Sequence, residues 1–561
     1  MKLVECVPNF SEGRDSKIIN SITSEIEQTE GATLLDVDPG QATNRTVVTF
    51  IGTPEGVEEA AFKAIKRAAE LIDMQKHQGA HARMGATDVC PFVPVSGITI
   101  EECIQIAREL AQRVATELGI PIYLYEDAAT QPERQNLATI RQGEYEGLPE
   151  KLKDPAWQPD FGEPVFNARS GATVIGVREF LIAYNINLNT KITKIARSIG
   201  NTIREKGKFK RGPDKKLVRD EDGKKIRVPG LFQHCKATGW FIEEYGQAQV
   251  TMNLTNYKVT PPHLVLETVR DLAQDEGVVV TGSELVGLIP ESAMLEAGRY
   301  YLQKQGASAG VPVEELIKVA VQSMSLDQLS PFDPQQKIIE NRVRIDKLVA
   351  MPVRAFTDET STDSPAPGGG SVSALGAALS AALSAMVANL TFSKKGFKDL
   401  QPVMEETAQA AQSLKDEFLQ AIDLDTDAFN KVMAAFRLPR KSDEEKAIRE
   451  KAVQAATCEA TLVPFHVLEK IPKLLDLAEL VIEQGNPNSL SDAGVANTFA
   501  RSAAVGVYYN VMINLASISD EEFVQTLAQQ AETLKKQIIE KANTLEEKVS
   551  QRLIDDLAAA E

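Results

Sequence analysis

TDETSTDSPAPGGGSVSALGAALSAALSAMVANLTFS, residues 357–393, divides the chain. Its first half is turn chemistry: Ser, Thr, Asp and Pro through Pro367, then Gly368, Gly369, Gly370 and Ser371. Its second half, Ser371 to Ser393, carries no charged residue and is long enough to cross a bilayer. Ala, Ser and Gly fill it, however, where a spanning helix would hold Leu, Ile and Phe. Small residues of this kind let helices approach closely inside a soluble bundle, so no membrane span is expected. Beyond this stretch almost every segment is helical in pattern, rich in Ala, Leu, Gln and Glu, and Asp520 to Leu557 keeps a long helical periodicity. The C-terminal third is expected to be an all-α domain of about 215 residues.

Upstream of the divide, short β-rich runs alternate with helical patterns. Leu3 to Val7, Thr33 to Val37, Thr46 to Ile51, Val89 to Val95 and Ile122 to Tyr125 read as strands, and Val57 to Ile72 and Ile100 to Leu118 as helices. A second set follows. Thr173 to Val177, Phe180 to Leu188, Thr238 to Glu244 and Ala248 to Leu254 read as strands, with helices near Ile192 to Arg204, His263 to Asp275 and Val313 to Met324. A helical connector is expected near Ile338 to Leu348. The fold class is multidomain: an α+β part made of two sheet-and-helix subdomains, 1–179 and 180–340, a linker at 341–355, and a helical-bundle domain at 356–561.

Composition agrees with several packed cores. The 561 residues exceed a ~150-residue domain almost fourfold, and 43% hydrophobic with 25% charged residues is the balance of a folded globular protein. Lys and Arg number 61 against 79 Asp and Glu, a net charge of −18 that repels phosphate backbones, so no nucleic-acid partner is expected. Five scattered cysteines without a CxxC pair indicate neither a disulfide framework nor a zinc ribbon and fit a reducing compartment. With no apolar h-region at the N-terminus, the cytoplasm is the expected location. One local exception to the acidic charge is Arg204 to Arg227, with eleven Lys or Arg against five Asp or Glu. Gly207, Gly212, Pro213 and Gly223 break its periodicity, and it reads as a mobile basic loop, either a solvated insertion or a trap for an anionic substrate tail.

Three places carry residues suited to chemistry. His77-Gln78-Gly79-Ala80-His81, followed by Arg83 and Asp88, forms a polar, turn-rich loop before a strand. Gln78 and Gly79 stand where a zinc protease needs a Glu and an unbroken helix, so acid/base work by one histidine is the better reading, and the spacing does not say which. Pro365-Ala366-Pro367-Gly368-Gly369-Gly370-Ser371 frees backbone N–H groups at a helix start, with Ser371 as a capping residue, and suits either an anionic or carbonyl ligand or simple close packing. It lacks the Lys of a phosphate-binding loop. Finally, at 100° per residue Leu414, Phe418, Ile422, Phe429, Val432, Met433 and Phe436 share one face, with Asp425 in its middle and Asp423 and Asp427 opposite, toward solvent. A carboxylate on a buried seam tends to a raised pKa, which suits proton transfer; a structural bridging Asp is the alternative.

With those residues in hand, the chain resembles the formimidoyltransferase-cyclodeaminase family of histidine degradation. The likeness rests on Val4-Glu5-Cys6-Val7-Pro8-Asn9-Phe10-Ser11-Glu12-Gly13, Thr43-Asn44-Arg45-Thr46, His77 to Phe92, Phe180 to Leu188, Pro331-Phe332-Asp333-Pro334, Ala366 to Ser371 and Ser489-Leu490-Ser491-Asp492, in that order. It implies that the N-terminal part transfers a formimino group from N-formimino-L-glutamate to N5 of tetrahydrofolate, with His81 at the position of the family's catalytic histidine. It places folate binding at Gly162, Glu163, Pro164, Val165, Phe166, Asn167, Ala168, Arg169, Ser170 and Gly171, with a further contact at Thr202, where the neighbouring Asn201 leaves the alignment open by one residue. The C-terminal part is implied to close 5-formimino-tetrahydrofolate to 5,10-methenyl-tetrahydrofolate with loss of ammonia, Asp425 matching the active-site aspartate.

The resemblance also implies polyglutamylated tetrahydrofolate as one-carbon carrier, no metal, and self-association into a homo-octamer built from dimers. Three alternatives stay open on the residues: a non-catalytic folate-binding scaffold, an enzyme with one active half, and a cyclohydrolase using water in place of ammonia chemistry.

Overall fold

The computed structural model of the chain describes residues 2–41, 43–79, 82–213, 216–343, 348–364 and 366–560. The chain divides into two compact units, Met1–Ala297 with Val321–Arg344, and Gly298–Ala320 with Ile345–Glu561.

In the first unit, β1 (Leu3–Cys6), β2 (Asn9–Phe10), β3 (Ala32–Gly40), β4 (Arg45–Gly52), β5 (Thr87–Ser96), β6 (Ile122–Glu126) and β7 (Thr173–Val177) form one sheet. Its order is β1-β4-β2-β5-β7-β6, with β3 on β4; β5, β7 and β6 run parallel and the other pairings are antiparallel. The apolar stripes of α1 (Ser16–Glu27), α2 (Pro54–Leu71) and α3 (Ile100–Leu118) close one face, burying Ile22, Ile65 and Leu110 with Val4, Phe50 and Phe92 of the strands. Local sequence sets the helix ends. Thr99 and Glu102 form a reciprocal capping box at the start of α3, and Gly119 ends it in the left-handed region. Two short helices, α4 (Leu137–Ile140) and α5 (Glu144–Lys151), follow β6.

A second, antiparallel sheet comes next. After β8 (Ile182–Leu188) and α6 (Thr193–Ile203), the chain makes a basic excursion with β9 (Lys208–Phe209) and β10 (Arg227–Val228). It then returns through β11 (Cys235–Ile242), β12 (Gln247–Leu254), α7 (Pro262–Asp275) and β13 (Val280–Val286), in the sheet order β11-β12-β8-β13. Alternation is plain in β11, where Cys235 and Ala237 are buried and Lys236, Thr238 and Trp240 face out. The stretch expected to be a mobile basic loop carries short strand pairings: Arg227 pairs with Phe209 and Val228 with Lys208, and bridges join Arg211 to Leu217 and Arg219 to Lys225. Gly207 and Gly223, two of the glycines that break its periodicity, have positive φ, and the Arg227 guanidinium lies 4.0 Å from the centre of the Phe209 ring. Of this stretch, Asp214 and Lys215 lie outside the described residues.

Past β13 lie α8 (Glu291–Lys304) and α9 (Val313–Met324), inside which the two units meet along the chain. Of the helical connector expected at 338–348, residues 344–347 lie outside the described residues; the described part and its approach hold the one-turn α10 (Pro334–Lys337) and a 3-10 turn at Glu340–Arg342. Ile338 bridges Ile289 and both are fully buried, so the backbone there is used in a strand-like contact.

The second unit is helical: α11 (Val353–Thr360), α12 (Gly369–Phe392), α13 (Gln401–Phe436), α14 (Asp443–Gln484), α15 (Leu490–Leu515) and α16 (Glu521–Ala560). Gly298–Ala320, inside the stretch assigned from sequence to the second subdomain, belongs to this unit; Ser308 donates to Asn389 Oδ1 at 2.6 Å and Ala309 N–H to Glu405 Oε1 at 2.9 Å. Among the described residues, α12 is the one helix long and apolar enough to cross a membrane, and more than half of its most apolar window is buried in this unit. Its Ala377, Ala381, Ala385 and Ala388 are buried, the close helix packing that small residues allow.

Candidate functional site

In the first unit, the loop between α2 and β5 carries the paired histidines. His81 and Ala80 lie outside the described residues. His77 is described and its ring is fully engaged. Arg83 Nε, which only donates, lies 3.3 Å from Nδ1, so Nδ1 accepts and Nε2 carries the hydrogen given to Asn44 O at 2.8 Å. Both nitrogens are thereby used in holding the loop. Asn44 in turn accepts from Gly13 N–H and donates to Gln78 O. Arg83, nearly buried, is gripped by Glu146 and Glu144 at 2.7 and 2.9 Å, and those bonds hold its guanidinium above the usual range. One turn on, the buried Asp88 carboxylate accepts from Met84 N–H at 2.9 Å and pairs with Arg141. Half-buried Arg45 stands near that pair, its proton affinity lowered by burial and by the charge of Arg141. The result is a cluster of cationic groups ordered by carboxylates beside the histidine loop.

The Gly162 to Gly171 segment docks on the same loop. Ala86 N–H donates to Ser170 O at 2.8 Å, Met74 N–H to Arg169 O at 2.9 Å, and Gly85 bridges Gly171. Gly171 has φ +70°, and a Cβ there would lie 2.2 Å from Met84 O, so only glycine permits this backbone contact. Within the segment, Asn167 Oδ1 accepts from Ser170 N–H, Phe166 packs on Tyr145 at 5.4 Å, and Val165 is exposed to 66%. An ordered backbone thus presents an apolar side chain outward. Gly162, Glu163, Pro164, Ala168 and Arg169 complete it. Thr202 is elsewhere, near the end of α6, donating to Ser198 O at 2.9 Å and receiving Lys208 Nζ at 3.4 Å. The structure therefore brings the ten-residue segment to the histidine loop and places Thr202 beside the basic excursion.

In the second unit, α13 brings Asp425 to the first turn of α12. Ser371 Oγ donates to Asp425 Oδ2 at 2.9 Å, and the Ser371 backbone N–H also favours the charged carboxylate. Burial raises the Asp425 carboxyl above its ordinary value, and Ser371 offsets part of that rise. A Cβ on Gly370 would come within 2.3 Å of Oδ1 and 2.6 Å of Oδ2. The absent side chain at 370 is what lets a carboxylate rest against the N-terminal end of a helix.

Two expectations need correction here. The helix cap is Gly368, and Ser371, one turn in and fully buried, spends its hydroxyl on α13. The seam of α13 holds at Leu414, Phe418 and Ile422 but then shifts to Ala428 and Ala435, leaving Met433 and Phe436 exposed. Asp423 and Asp427 are accordingly half-buried, and Asp423 accepts from Leu348 N–H at 2.8 Å. A uniform 100° wheel overstates the apolar face of a 36-residue helix because it ignores which neighbours cover each turn. Of the glycine-rich motif, Pro365 lies outside the described residues.

Comparison with known proteins places both halves in context. The profile of the formiminotransferase domain, N-terminal subdomain, matches residues 3–178, that of the formiminotransferase domain 183–344, and that of formiminotransferase-cyclodeaminase 352–533. A formimidoyltransferase-cyclodeaminase of Gallus gallus is 45% identical over 527 residues, covering 93% of this chain and 94% of the relative. The chain belongs to the formimidoyltransferase-cyclodeaminase family. A second family member, from Dictyostelium discoideum, is 42% identical across 98% of this chain and 99% of its own length. A glutamate formimidoyltransferase of Streptococcus pyogenes serotype M1 is 43% identical over 302 residues, 54% of this chain and 94% of its own. The two sheet-and-helix subdomains followed by a helical region are the family's arrangement.

Against this family frame, sequence reasoning missed the Arg83–Glu144–Glu146 and Asp88–Arg141 pairs, whose partners lie 53 to 63 residues apart. It also missed the contact of Gly370 with Asp425, 55 positions apart. No local periodicity reports such pairings; a buried Arg and a buried Asp flanking a glycine-rich loop were the available signals.

Proposed function

We propose that this enzyme carries out two successive folate reactions, with His81 serving the first and Asp425 the second. In the first, N5 of tetrahydrofolate attacks the formimino carbon of N-formimino-L-glutamate and glutamate departs. N5 must lose a proton and the leaving nitrogen must gain one, a pair of transfers that a group titrating near neutrality can serve. Three observations support His81 in that role: both ring nitrogens of His77 are already bonded, the folate segment Gly162–Gly171 docks on the same loop, and Arg45 and Arg141 supply positive charge for a dicarboxylate substrate. In the second reaction N10 attacks the same carbon and ammonia leaves, giving 5,10-methenyl-tetrahydrofolate. Asp425 takes the proton from N10 and returns it to the departing nitrogen.

The observation that carries the reading is the Asp425 carboxylate seated on the first turn of α12, half-buried and receiving the hydroxyl of Ser371. A carboxyl so placed exchanges its proton at a pH above the ordinary carboxylate range. The carrier in this proposal is a polyglutamylated tetrahydrofolate, Thr202 and the basic excursion beside it meeting its anionic end. Self-association into a homo-octamer built from dimers is supported by apolar side chains left exposed on α12 and α15, among them Leu379, Leu390, Tyr509 and Ile513. A cytoplasmic location agrees with five free cysteines.

The test is to measure glutamate release and ammonia release separately. His81→Ala is expected to abolish the first while cyclising supplied 5-formimino-tetrahydrofolate, and Asp425→Asn the reverse. Ammonia release by Asp425→Asn at the wild-type rate would overturn the second assignment.

A further inference from the structure

Ser371 is fully buried and its hydroxyl has one hydrogen for two acceptors. Asp425 Oδ2 lies at 2.9 Å and Ile422 O at 3.1 Å, both on α13, with Thr426 Oγ1 at 3.5 Å. An ionised carboxylate is much the stronger acceptor, so while Asp425 is charged the hydroxyl donates to Oδ2. Once Asp425 holds a proton on Oδ2, that oxygen becomes a donor, and a hydroxyl still pointing at it would face hydrogen to hydrogen. Ile422 O gives the hydroxyl somewhere else to go. In each state every hydrogen has an acceptor, and the change needs only rotation about one C–O bond.

We propose that Ser371 is a positioning residue of the cyclodeaminase reaction, its hydroxyl switching between Asp425 Oδ2 and Ile422 O as Asp425 gives up and regains the proton it carries from N10 to the leaving nitrogen. This rests on the reading of Asp425 given above. The proton balance is closed: one O–H bond of Asp425 forms as an N–H bond of N10 breaks, and breaks as an N–H bond of ammonia forms, while Ser371 keeps its own hydrogen throughout. An alanine could neither hold the charged carboxylate nor receive the proton of the neutral one. The charged surroundings leave the pair to itself. The helix carrying Ser371 has no charged side chain, Asp423 is held by Leu348 N–H, and Lys431 is paired with Glu459 of α14 at 2.5 Å. Among the described residues, burial and Ser371 account for the shift of Asp425, with no neighbouring charge contributing.

The test is the pH profile of cyclisation of supplied 5-formimino-tetrahydrofolate, using the full-length enzyme with Ser371→Ala, Ser371→Cys and Ser371→Thr, and transferase activity as the control for folding. Losing a bond to the charged form moves the acid limb of kcat upward, by about one pH unit for one hydrogen bond to a charged group. The deficit of Ser371→Ala is then about tenfold greater on the acid side of that limb than on the plateau. Ser371→Cys, a weak donor, follows Ala, and Ser371→Thr returns the limb to its wild-type place. A uniform loss at every pH, or Thr and Ala behaving alike, would overturn the proposal. Wild-type cyclisation by Asp425→Asn would instead remove the reading on which it rests, so the two failures are distinguishable. If Ser371→Ala loses transferase activity as well, the Cys and Thr pair decides alone.

Discussion

Gly370 shows at the scale of one residue how absence of a side chain makes a site. A methyl group at that position would overlap both oxygens of Asp425, so Gly370→Ala is expected to push the carboxylate out of line and cut cyclisation by about 100-fold, the cost of displacing a reacting group by roughly 1 Å. Transferase activity should be retained; equal loss of both would mark a folding defect. Glu5 offers a second test. It is almost completely buried on β1, and burial pushes its carboxyl up to about 7, with Arg178 pulling the other way. A carboxyl with a raised folded-state pKa favours the fold fully below its unfolded value near 4.5 and loses that contribution as pH rises through about 7. The loss amounts to about 3 kcal/mol at its limit. Glu5→Gln should therefore gain stability relative to wild type between pH 5 and pH 8, read as a widening difference in urea midpoints. A constant difference would show that Glu5 is already ionised in the fold.

Elements were legible where pattern and punctuation coincide. Ile100–Leu118 and Val313–Met324 were readable to the residue because apolar spacing ends at a cap or a turn, and Thr173–Val177 because a short β-branched run is bounded by glycine and charge. Less was readable where tertiary contacts decide. Helix α1 was missed although Asp15 caps it and Ile19, Ile22 and Ile26 share its buried face, while helix α8 carries a weaker stripe; in the connector, Ile338 is taken up by its bridge to Ile289. Asp425 could be singled out from its helical phase, although the same phase misplaced Asp423 and Asp427; its partners on α12 could not be foreseen. At this scale Gly171→Ala should unseat the Gly162–Gly171 segment, since both a positive φ and the carbonyl of Met84 oppose a side chain. The expected outcome is a raised KM for folate in the transferase assay with cyclisation unchanged; an unchanged KM would detach that segment from folate binding. Ser442→Ala removes the capping box of the 42-residue α14 and should cost about 1 kcal/mol of stability without altering either reaction, measurable by urea unfolding.

For the whole molecule, two units of different architecture in one chain are explained by two reactions on the same carbon. On the proposal above, the transferase uses an ordered loop among cations for a dicarboxylate and a histidine to move protons, a task suited to sheet edges and their connections. On the same proposal, the cyclisation uses a half-buried carboxyl held at a helix N-terminus within a helical bundle. The central claim is that His81 and Asp425 act in series, each in its own half. It is tested most directly by following methenyl-tetrahydrofolate through its near-ultraviolet absorbance, starting from N-formimino-L-glutamate and tetrahydrofolate, with wild type, His81→Ala, Asp425→Asn and an equimolar mixture of the two variants. Each variant alone should form no product and the mixture should recover it; methenyl product from Asp425→Asn alone at the wild-type rate would contradict the account.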